Sequence, residues 1–145
     1  MSESVHKGSC ACGKVSVEAR GEPYRVGICH CLTCRKLHGA PFSFYAVLPP
    51  DAVTITGKVD VLASSEHGRR YFCPSCGSQV WSHYSRPDDS RPDEMYVYPG
   101  SFGETGLWAP TYELWTIRRH PWLPEFPSVV RRYEKDRLKW SRTEP

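Results

Sequence analysis

The sequence predicts a mainly β domain of short antiparallel strands, with few helices. The chain has 145 residues, a length typical of one domain. Its 13 prolines and 11 glycines favour short strands and turns over long helices. Several short segments also alternate apolar and polar residues, which is the period of a strand with one buried face. The proline and glycine content in particular argues against a helical bundle.

Eight segments have a strand pattern. Residues 14–20 alternate, and residues 42–48 form an apolar and aromatic run that ends at two prolines. Residues 53–56 and 59–61 lie on either side of Gly57 and predict a hairpin. Residues 69–72 and 79–84 flank a tight turn, and residues 95–98 and 111–117 complete the set.

Two segments have a helical pattern. Residues 32–38 predict a short helix after the middle cysteine cluster, ended by Gly39, because glycine adopts the left-handed conformation of a helix C-cap. Ser128 could cap a second helix near the C-terminus. One face of that helix would hold Val129, Tyr133 and Trp140.

Positive charge is concentrated near the C-terminus. The chain has a net charge of +3, and residues 118–145 hold eight Lys+Arg against four Asp+Glu. This pattern favours a solvated basic face over a nucleic-acid interface. Residues 86–94 are rich in Pro, Asp and Arg and predict an exposed loop. No segment approaches 18 apolar residues and residues 1–20 lack the apolar run of a signal peptide, so we expect a cytoplasmic protein with no membrane contact.

Seven cysteines in three clusters are the most specific feature of the sequence. An odd number cannot all form disulfides within one chain, and closely spaced reduced thiols indicate a metal site. Structural zinc sites are closed by four ligands, whereas catalytic ones keep a position free. The seven thiols divide accordingly into a closed four, Cys10, Cys12, Cys73 and Cys76, and an open three, Cys29, Cys31 and Cys34. Spacing alone also allows Cys73 and Cys76 to pair with two of the middle cysteines.

The three cysteine motifs stand in the order of a known family. Residues 8–13 (GSCACG), 29–36 (CHCLTCRK) and 73–78 (CPSCGS) resemble the glutathione-dependent formaldehyde-activating enzyme family. Residues 39–42 also resemble it, and residues 122–124 do so more loosely. This resemblance implies a β-tent fold of packed antiparallel sheets held together by zinc. It implies a structural zinc on the closed four and a catalytic zinc on the open three, hence two Zn²⁺ per chain. We expect one zinc-binding β domain over residues 1–126, followed by a basic helix or tail over residues 127–145.

The resemblance also implies an activity. The thiolate of glutathione would add to formaldehyde and give S-hydroxymethylglutathione, so the protein would be a carbon–sulfur lyase. A three-thiolate zinc can accept a substrate sulfur or oxygen, and a metal-bound thiol deprotonates readily. The alternatives are the same site acting on a different thiol or electrophile, and a non-catalytic zinc module that binds a protein or a nucleic acid.

A few further residues are candidates for the site. His38 lies one helical turn beyond Cys34 and could act as a proton shuttle or fourth ligand, the alternative being a partly exposed loop histidine. His30 lies between two ligands and is expected to point away from the metal. Glutathione has two carboxylates, and the cationic candidates to bind them are Arg35, Lys36, Arg69 and Arg70.

Overall fold

The computed structural model describes residues 3–84 and 94–137 and is mainly β. These residues form eleven strands, one α-helix and three single-turn 3₁₀ helices. The strands are β1 Val5–Ser9, β2 Ser16–Arg20, β3 Arg25–Cys29, β4 Ser43–Leu48, β5 Val53–Thr56, β6 Asp60–Ala63, β7 Gly68–Phe72, β8 Gln79–Tyr84, β9 Met95–Val97, β10 Tyr112–Leu114 and β11 Arg131–Arg132. The α-helix, α1, is Leu32–His38, and the 3₁₀ helices are Pro50–Ala52, Pro99–Ser101 and Thr116–Arg118.

The strands form two sheets. The small sheet has the order β1-β2-β5, and the large sheet has the order β11-β10-β3-β4-β9-β8-β7-β6. Neighbouring strands are antiparallel except around β10, which runs parallel to both β3 and β11. The predicted mainly β fold with two packed sheets is therefore confirmed, with this local parallel exception.

Strand β4 separates the two hydrophobic clusters of the core. Ala46 and Leu48 belong to the cluster that also contains Val17 and Ala19 of the small sheet. Tyr45 and Val47 point to the opposite face of the large sheet and join a second cluster with buried cysteines and tyrosines. Because successive residues of a strand face opposite sides, β4 contributes to both clusters at once.

The predicted hairpin around Gly57 is wrong. Strand β5 pairs with β2 in the small sheet, whereas β6 pairs with β7 in the large sheet, so the chain crosses between sheets at this point. Gly57 has φ +111°, and a Cβ there would lie 2.3 Å from the carbonyl oxygen of Lys14. The backbone at Gly57 therefore packs directly against the loop after the first cysteine pair. This contact is compatible with a crossing between the sheets and not with a hairpin.

The predicted helix 32–38 is confirmed, whereas the predicted C-terminal helix is wrong over its described residues. Gly39 ends α1 in the left-handed conformation with φ 57°. Ser128 donates a hydrogen bond to the carbonyl of Pro110 at 2.6 Å instead of capping a helix. The following residues form β11, whose partner is β10. Trp140, the third residue assigned to that helix face, lies outside the described residues.

The structure differs from the sequence-based predictions in two further strands and in one end of a predicted loop. Strands β1 and β3 were not predicted from the sequence. Every second residue of β1 is exposed, whereas β3 is buried along its whole length. Residues 86–93 of the predicted exposed loop lie outside the described residues. Glu94, the last residue of that prediction, is buried instead, because it pairs with Arg25.

Candidate metal and substrate site

The four thiols Cys10, Cys12, Cys73 and Cys76 converge between the two sheets. Their sulfur atoms all lie within 4.8 Å of one another. The sulfur of Cys12 is 3.6 Å from that of Cys10 and 3.8 Å from that of Cys73. Sulfurs at about 2.3 Å from a tetrahedral zinc would be separated by about 3.8 Å. The four thiols therefore fit a tetrahedral thiolate site, to which the β1–β2 turn and the β7–β8 turn supply two ligands each.

Local turns hold these thiols in place. The N–H of Gly77 donates to the carbonyl of Cys73 at 2.8 Å and closes the turn between β7 and β8. The N–H of Val15 donates to the sulfur of Cys10 at 3.2 Å. The pKa of Cys76 is lowered to about 5, because the side chain and backbone of Ser78 hydrogen bond to its sulfur. Such donors favour the thiolate form, which is the form that binds metal.

The other three thiols form a second cluster at the junction of β3 and α1. Cys29 is the last residue of β3, Cys31 caps α1, and Cys34 lies in the first turn of that helix. Their sulfurs also lie within 4.8 Å of one another. The N–H of Cys34 donates to the sulfur of Cys31 at 3.3 Å. Of the two arrangements that the spacing allows, the structure brings the thiols together as four and three.

A cavity of about 260 Å³ opens beside the three-thiol cluster. Cys29, Cys31 and Cys34 form part of its wall, and no sulfur of the four-thiol cluster lines it. Most of the remaining wall is aromatic and hydroxylated. It includes the tyrosines Tyr45, Tyr84, Tyr96, Tyr98 and Tyr112.

Three of the tyrosine hydroxyls of the cavity form hydrogen bonds with neighbouring hydroxyls. Tyr98 donates a hydrogen bond to Ser82 at 3.0 Å, and the hydroxyls of Tyr45 and Tyr112 are 2.9 Å apart. Burial raises the pKa of Tyr45 and of Tyr98, so both phenols keep their protons at neutral pH. The cavity thus presents neutral hydroxyl groups to a bound molecule.

Three buried arginines, Arg25, Arg70 and Arg137, line the cavity, and the first two have different partners. Arg25 forms a bidentate ion pair with Glu94, with both nitrogen–oxygen distances 2.9 Å, and also donates to Tyr96. Arg70 donates to the sulfur of Cys34 at 3.5 Å and to the hydroxyl of Ser64 at 3.1 Å. Arg70 is therefore the cation that touches the three-thiol cluster.

Behind the cluster lies a buried polar group centred on Glu113 of β10. His30 donates to Glu113 at 2.7 Å, so its side chain points away from the sulfurs. Arg119 and Arg132 donate to the same carboxylate at 2.9 and 3.1 Å. Burial lowers the pKa of His30, which keeps the ring neutral. Sequence reasoning missed Glu113, because no motif marks a carboxylate 83 positions from the histidine that it contacts.

The remaining predicted site residues lie outside the cavity. Arg35 and Lys36 line a separate, open depression on the outer side of α1. Arg69 is exposed and donates to the carbonyls of Ser65 and Gly68. The structure thus brings Arg70 to the three thiols and leaves the other three cationic candidates apart from them.

His38 lies behind the cavity wall. Its ring packs edge-on against Tyr98, with centroids 4.8 Å apart. Burial lowers the pKa of His38 to about 4, so the ring is neutral near pH 7. Its role as shuttle or ligand remains a prediction. Among the described residues, no helix is long and apolar enough to cross a membrane.

Comparison with known proteins identifies relatives of this chain. The sequence model of the glutathione-dependent formaldehyde-activating enzyme family matches residues 5–118. An uncharacterized lyase of Schizosaccharomyces pombe is 30% identical over 80 residues, which cover 55% of this chain and 58% of the relative. A Penicillium rubens protein, provisionally named as a glutathione-dependent formaldehyde-activating enzyme, is 30% identical over 80 residues, 53% of this chain and 42% of the relative. The chain thus spans about half the length of these curated relatives.

One solved structure supports the fold. A crystal structure of a Rhodobacter sphaeroides protein superposes with a TM-score of 0.50 and 20% sequence identity. The superposition covers 70% of this chain and 89% of that one. At this identity the likeness concerns the fold alone.

Proposed function

Because the chain belongs to the glutathione-dependent formaldehyde-activating enzyme family, we propose that it is a zinc-dependent carbon–sulfur lyase acting on a small thiol and formaldehyde or a related aldehyde. The observation that carries this proposal is the three-thiol cluster in the wall of the cavity of about 260 Å³. In the reaction, the substrate sulfur bonds to the carbonyl carbon and the carbonyl oxygen gains a proton. The reverse reaction breaks the same carbon–sulfur bond and releases the aldehyde.

Two zinc ions per chain are part of this proposal. Cys10, Cys12, Cys73 and Cys76 would hold a structural zinc, a role that their sulfur separations of 3.6 and 3.8 Å support. Cys29, Cys31 and Cys34 would hold the catalytic zinc. Zinc on three thiolates keeps one position for a substrate sulfur and favours its thiolate form.

The chain's own residues would orient the two reactants. The hydroxyls of Tyr45 and Tyr112 share one hydrogen bond, so the second proton of this pair can be donated to a carbonyl or carboxylate oxygen in the cavity. The aromatic wall excludes bulk water from the reacting atoms. Holding a thiolate beside an aldehyde in one orientation removes much of the entropic cost of bringing them together.

Glutathione is the thiol that the family name indicates, and related thiols remain part of the proposal. The cavity of about 260 Å³ suits a small thiol. Arg35 and Lys36 lie on a different surface from the cavity wall. They can meet the glutathione carboxylates only if the bound tripeptide extends out of the cavity and across α1.

Metal analysis tests the two-centre arrangement. We expect close to two zinc ions per chain in wild-type protein prepared without oxygen. Cys31→Ser should retain one zinc and a folded spectrum, because Cys31 belongs to the open cluster alone. A wild-type protein with one zinc and with Cys29, Cys31 and Cys34 all reactive toward a thiol reagent would contradict the catalytic centre.

A kinetic measurement tests the activity. Exchange NMR with ¹³C-formaldehyde and glutathione gives the rate of adduct formation, which wild-type protein should raise above the uncatalysed rate. Cys31→Ser should remove that acceleration, and Thr54→Ser on the exposed face of the small sheet should keep it. Two bound zinc ions without acceleration for glutathione, cysteine or 2-mercaptoethanol would favour the non-catalytic binding module instead.

A further inference from the structure

Arg70 places a positive charge inside the cavity. The residue is 3% exposed, and its guanidinium lies 5.7 Å from the centre of the Tyr84 ring. One nitrogen donates to Ser64 at 3.1 Å and another to the sulfur of Cys34 at 3.5 Å. Serine and tyrosine are neutral, so of these contacts only the thiol can supply a compensating negative charge.

The other cations of the cavity are accompanied by carboxylates. Arg25 is neutralised by Glu94 through two hydrogen bonds of 2.9 Å. Arg137 lines the cavity together with its neighbour Asp136. Arg70 forms no ion pair with a carboxylate from residues 3–84 or 94–137. Burying a charge in an aromatic cavity is costly unless a charge of opposite sign is close, and among the described residues the three-thiol centre that Arg70 contacts can supply that charge.

The charge of the proposed centre explains why this cation is needed. The charges of three thiolates and one divalent metal sum to −1, and the positive charge of Arg70 brings the total to zero. A substrate thiolate in the fourth position adds a further negative charge. Without Arg70, the same buried centre would hold two uncompensated negative charges, which low-dielectric surroundings strongly disfavour.

We propose that Arg70 is a positioning residue that makes the three-thiol centre selective for an anionic fourth ligand, so that the substrate thiol binds as its thiolate. This inference rests on the proposed function and adds the charge state of the bound substrate and the residue that recognises it. A neutral ligand of similar size gains no electrostatic stabilisation from the guanidinium, so Arg70 does not raise its affinity. The thiol proton is released to solvent when the ligand binds.

Cobalt substitution allows a test that is independent of turnover. Co²⁺ in thiolate sites absorbs visible and near-ultraviolet light, so a new ligand at the open centre changes the spectrum, whereas the closed four-thiol centre accepts none. The cobalt-loaded protein is titrated with 2-mercaptoethanol, which binds as a thiolate, and with imidazole, which binds neutral. In Arg70→Met we expect the affinity for 2-mercaptoethanol to fall roughly tenfold to a hundredfold, as for the loss of a charge-assisted contact. The affinity for imidazole should stay within about threefold of wild type.

Two further variants separate charge from packing. Arg70→Gln is a second neutral replacement, for use if Arg70→Met does not fold. Arg70→Lys loses the planar contacts to Ser64 and Tyr84 but keeps the charge, so it should retain most of the thiolate affinity. Arg20→Met is the matched control and should behave as wild type, because Arg20 is a partly exposed arginine at the end of β2, away from the cavity.

The outcomes distinguish this inference from the function on which it rests. Selective loss of thiolate binding in the neutral variants, with retention in Arg70→Lys, supports the role of Arg70. Equal thiolate affinity in wild type and the neutral variants overturns it, as does an equal loss for both ligands or in all three Arg70 variants. If cobalt does not enter the three-thiol centre of the wild-type protein, the proposed function itself fails.

Discussion

At the scale of single residues, Glu113 shows how the three-thiol loop is supported from behind. Its fully buried carboxylate accepts hydrogen bonds from His30, Arg119 and Arg132. His30 lies between two cysteines of the cluster, and Arg119 and Arg132 lie in the C-terminal part of the chain. One carboxylate therefore ties the thiol loop, strand β10 and the C-terminal segment together.

Replacing Glu113 by Gln should destabilise the protein by about 3 kcal/mol, because it leaves buried donors without an anionic acceptor. Urea unfolding monitored by circular dichroism gives this difference. Glu18→Gln is the matched control. Glu18 forms an exposed ion pair with Arg20, so its loss should cost less than about 1 kcal/mol. Equal midpoints for Glu113→Gln and wild type would contradict the supporting role.

The stability difference between wild type and Glu113→Gln should depend on pH. Burial alone would raise the pKa of Glu113, but the hydrogen bonds from His30 and Arg119 outweigh it and hold the pKa below the ordinary value. A carboxyl group with a lowered pKa stabilises the folded state above the unfolded-state pKa, about 4.3, and loses this effect as the pH falls through the folded-state pKa. The stability difference between wild type and Glu113→Gln should therefore be full at pH 7 and shrink in acid. A constant difference down to pH 3 would contradict this sign.

At the scale of elements, the crossing at Gly57 positions the small sheet over the large one. The chain leaves β5 in one sheet and enters β6 in the other within three residues. Its backbone contacts Lys14 and Val15, which follow the first cysteine pair. The crossing therefore helps to fix the position of the Cys10–Cys12 turn relative to the β7–β8 turn.

Gly57→Ala should cost about 2 kcal/mol or more, because the residue needs φ +111° and a Cβ would meet the Lys14 carbonyl oxygen at 2.3 Å. Gly100→Ala is the matched control. A Cβ at Gly100 meets nothing within 4 Å, so its effect should stay within about 0.5 kcal/mol. Thermal unfolding of both variants provides the measurement. A Gly57→Ala protein as stable as Gly100→Ala would show that the crossing tolerates a side chain.

At the scale of the whole molecule, the four-thiol cluster links the two sheets. Cys10 and Cys12 follow β1 of the small sheet, and Cys73 and Cys76 join β7 and β8 of the large sheet. A metal at this point closes a long loop and stabilises the contact between sheets. The three-thiol cluster instead joins β3 to the adjacent helix α1, so a metal there spans only a short segment.

This difference predicts unequal effects of losing each centre. Cys73→Ser should lower the unfolding temperature far more than Cys31→Ser, and hydrogen exchange in Cys73→Ser should be accelerated first in the β1–β2 pair. A strong chelator should reproduce the Cys73→Ser behaviour in the wild-type protein. Equal destabilisation by the two substitutions would contradict a cross-link confined to the four-thiol cluster.

The sequence by itself determined the features that depend on neighbouring residues. Helix 32–38 ends at a glycine, and the turn at Cys73 and Cys76 follows from two cysteines separated by two residues, because caps and tight turns are local structures. A continuous apolar run likewise located β4, and alternating polarity, which is the period of a strand with one buried face, located β2 and β6. It failed for β3, which is buried on both faces, and for the C-terminal segment, where pairing with β10 overrides a helical pattern.

Only the tertiary structure decided which distant residues meet. It brought the seven thiols together as the predicted four and three, against the other pairing that the spacing allows, and it selected Arg70 among four cationic candidates by placing it 3.5 Å from the sulfur of Cys34. It also placed Glu113 behind His30 and sent the chain from one sheet to the other at Gly57. The physical reason is that such contacts depend on sheet order and register, which arise from the burial of the whole core and leave no trace in the spacing of nearby residues.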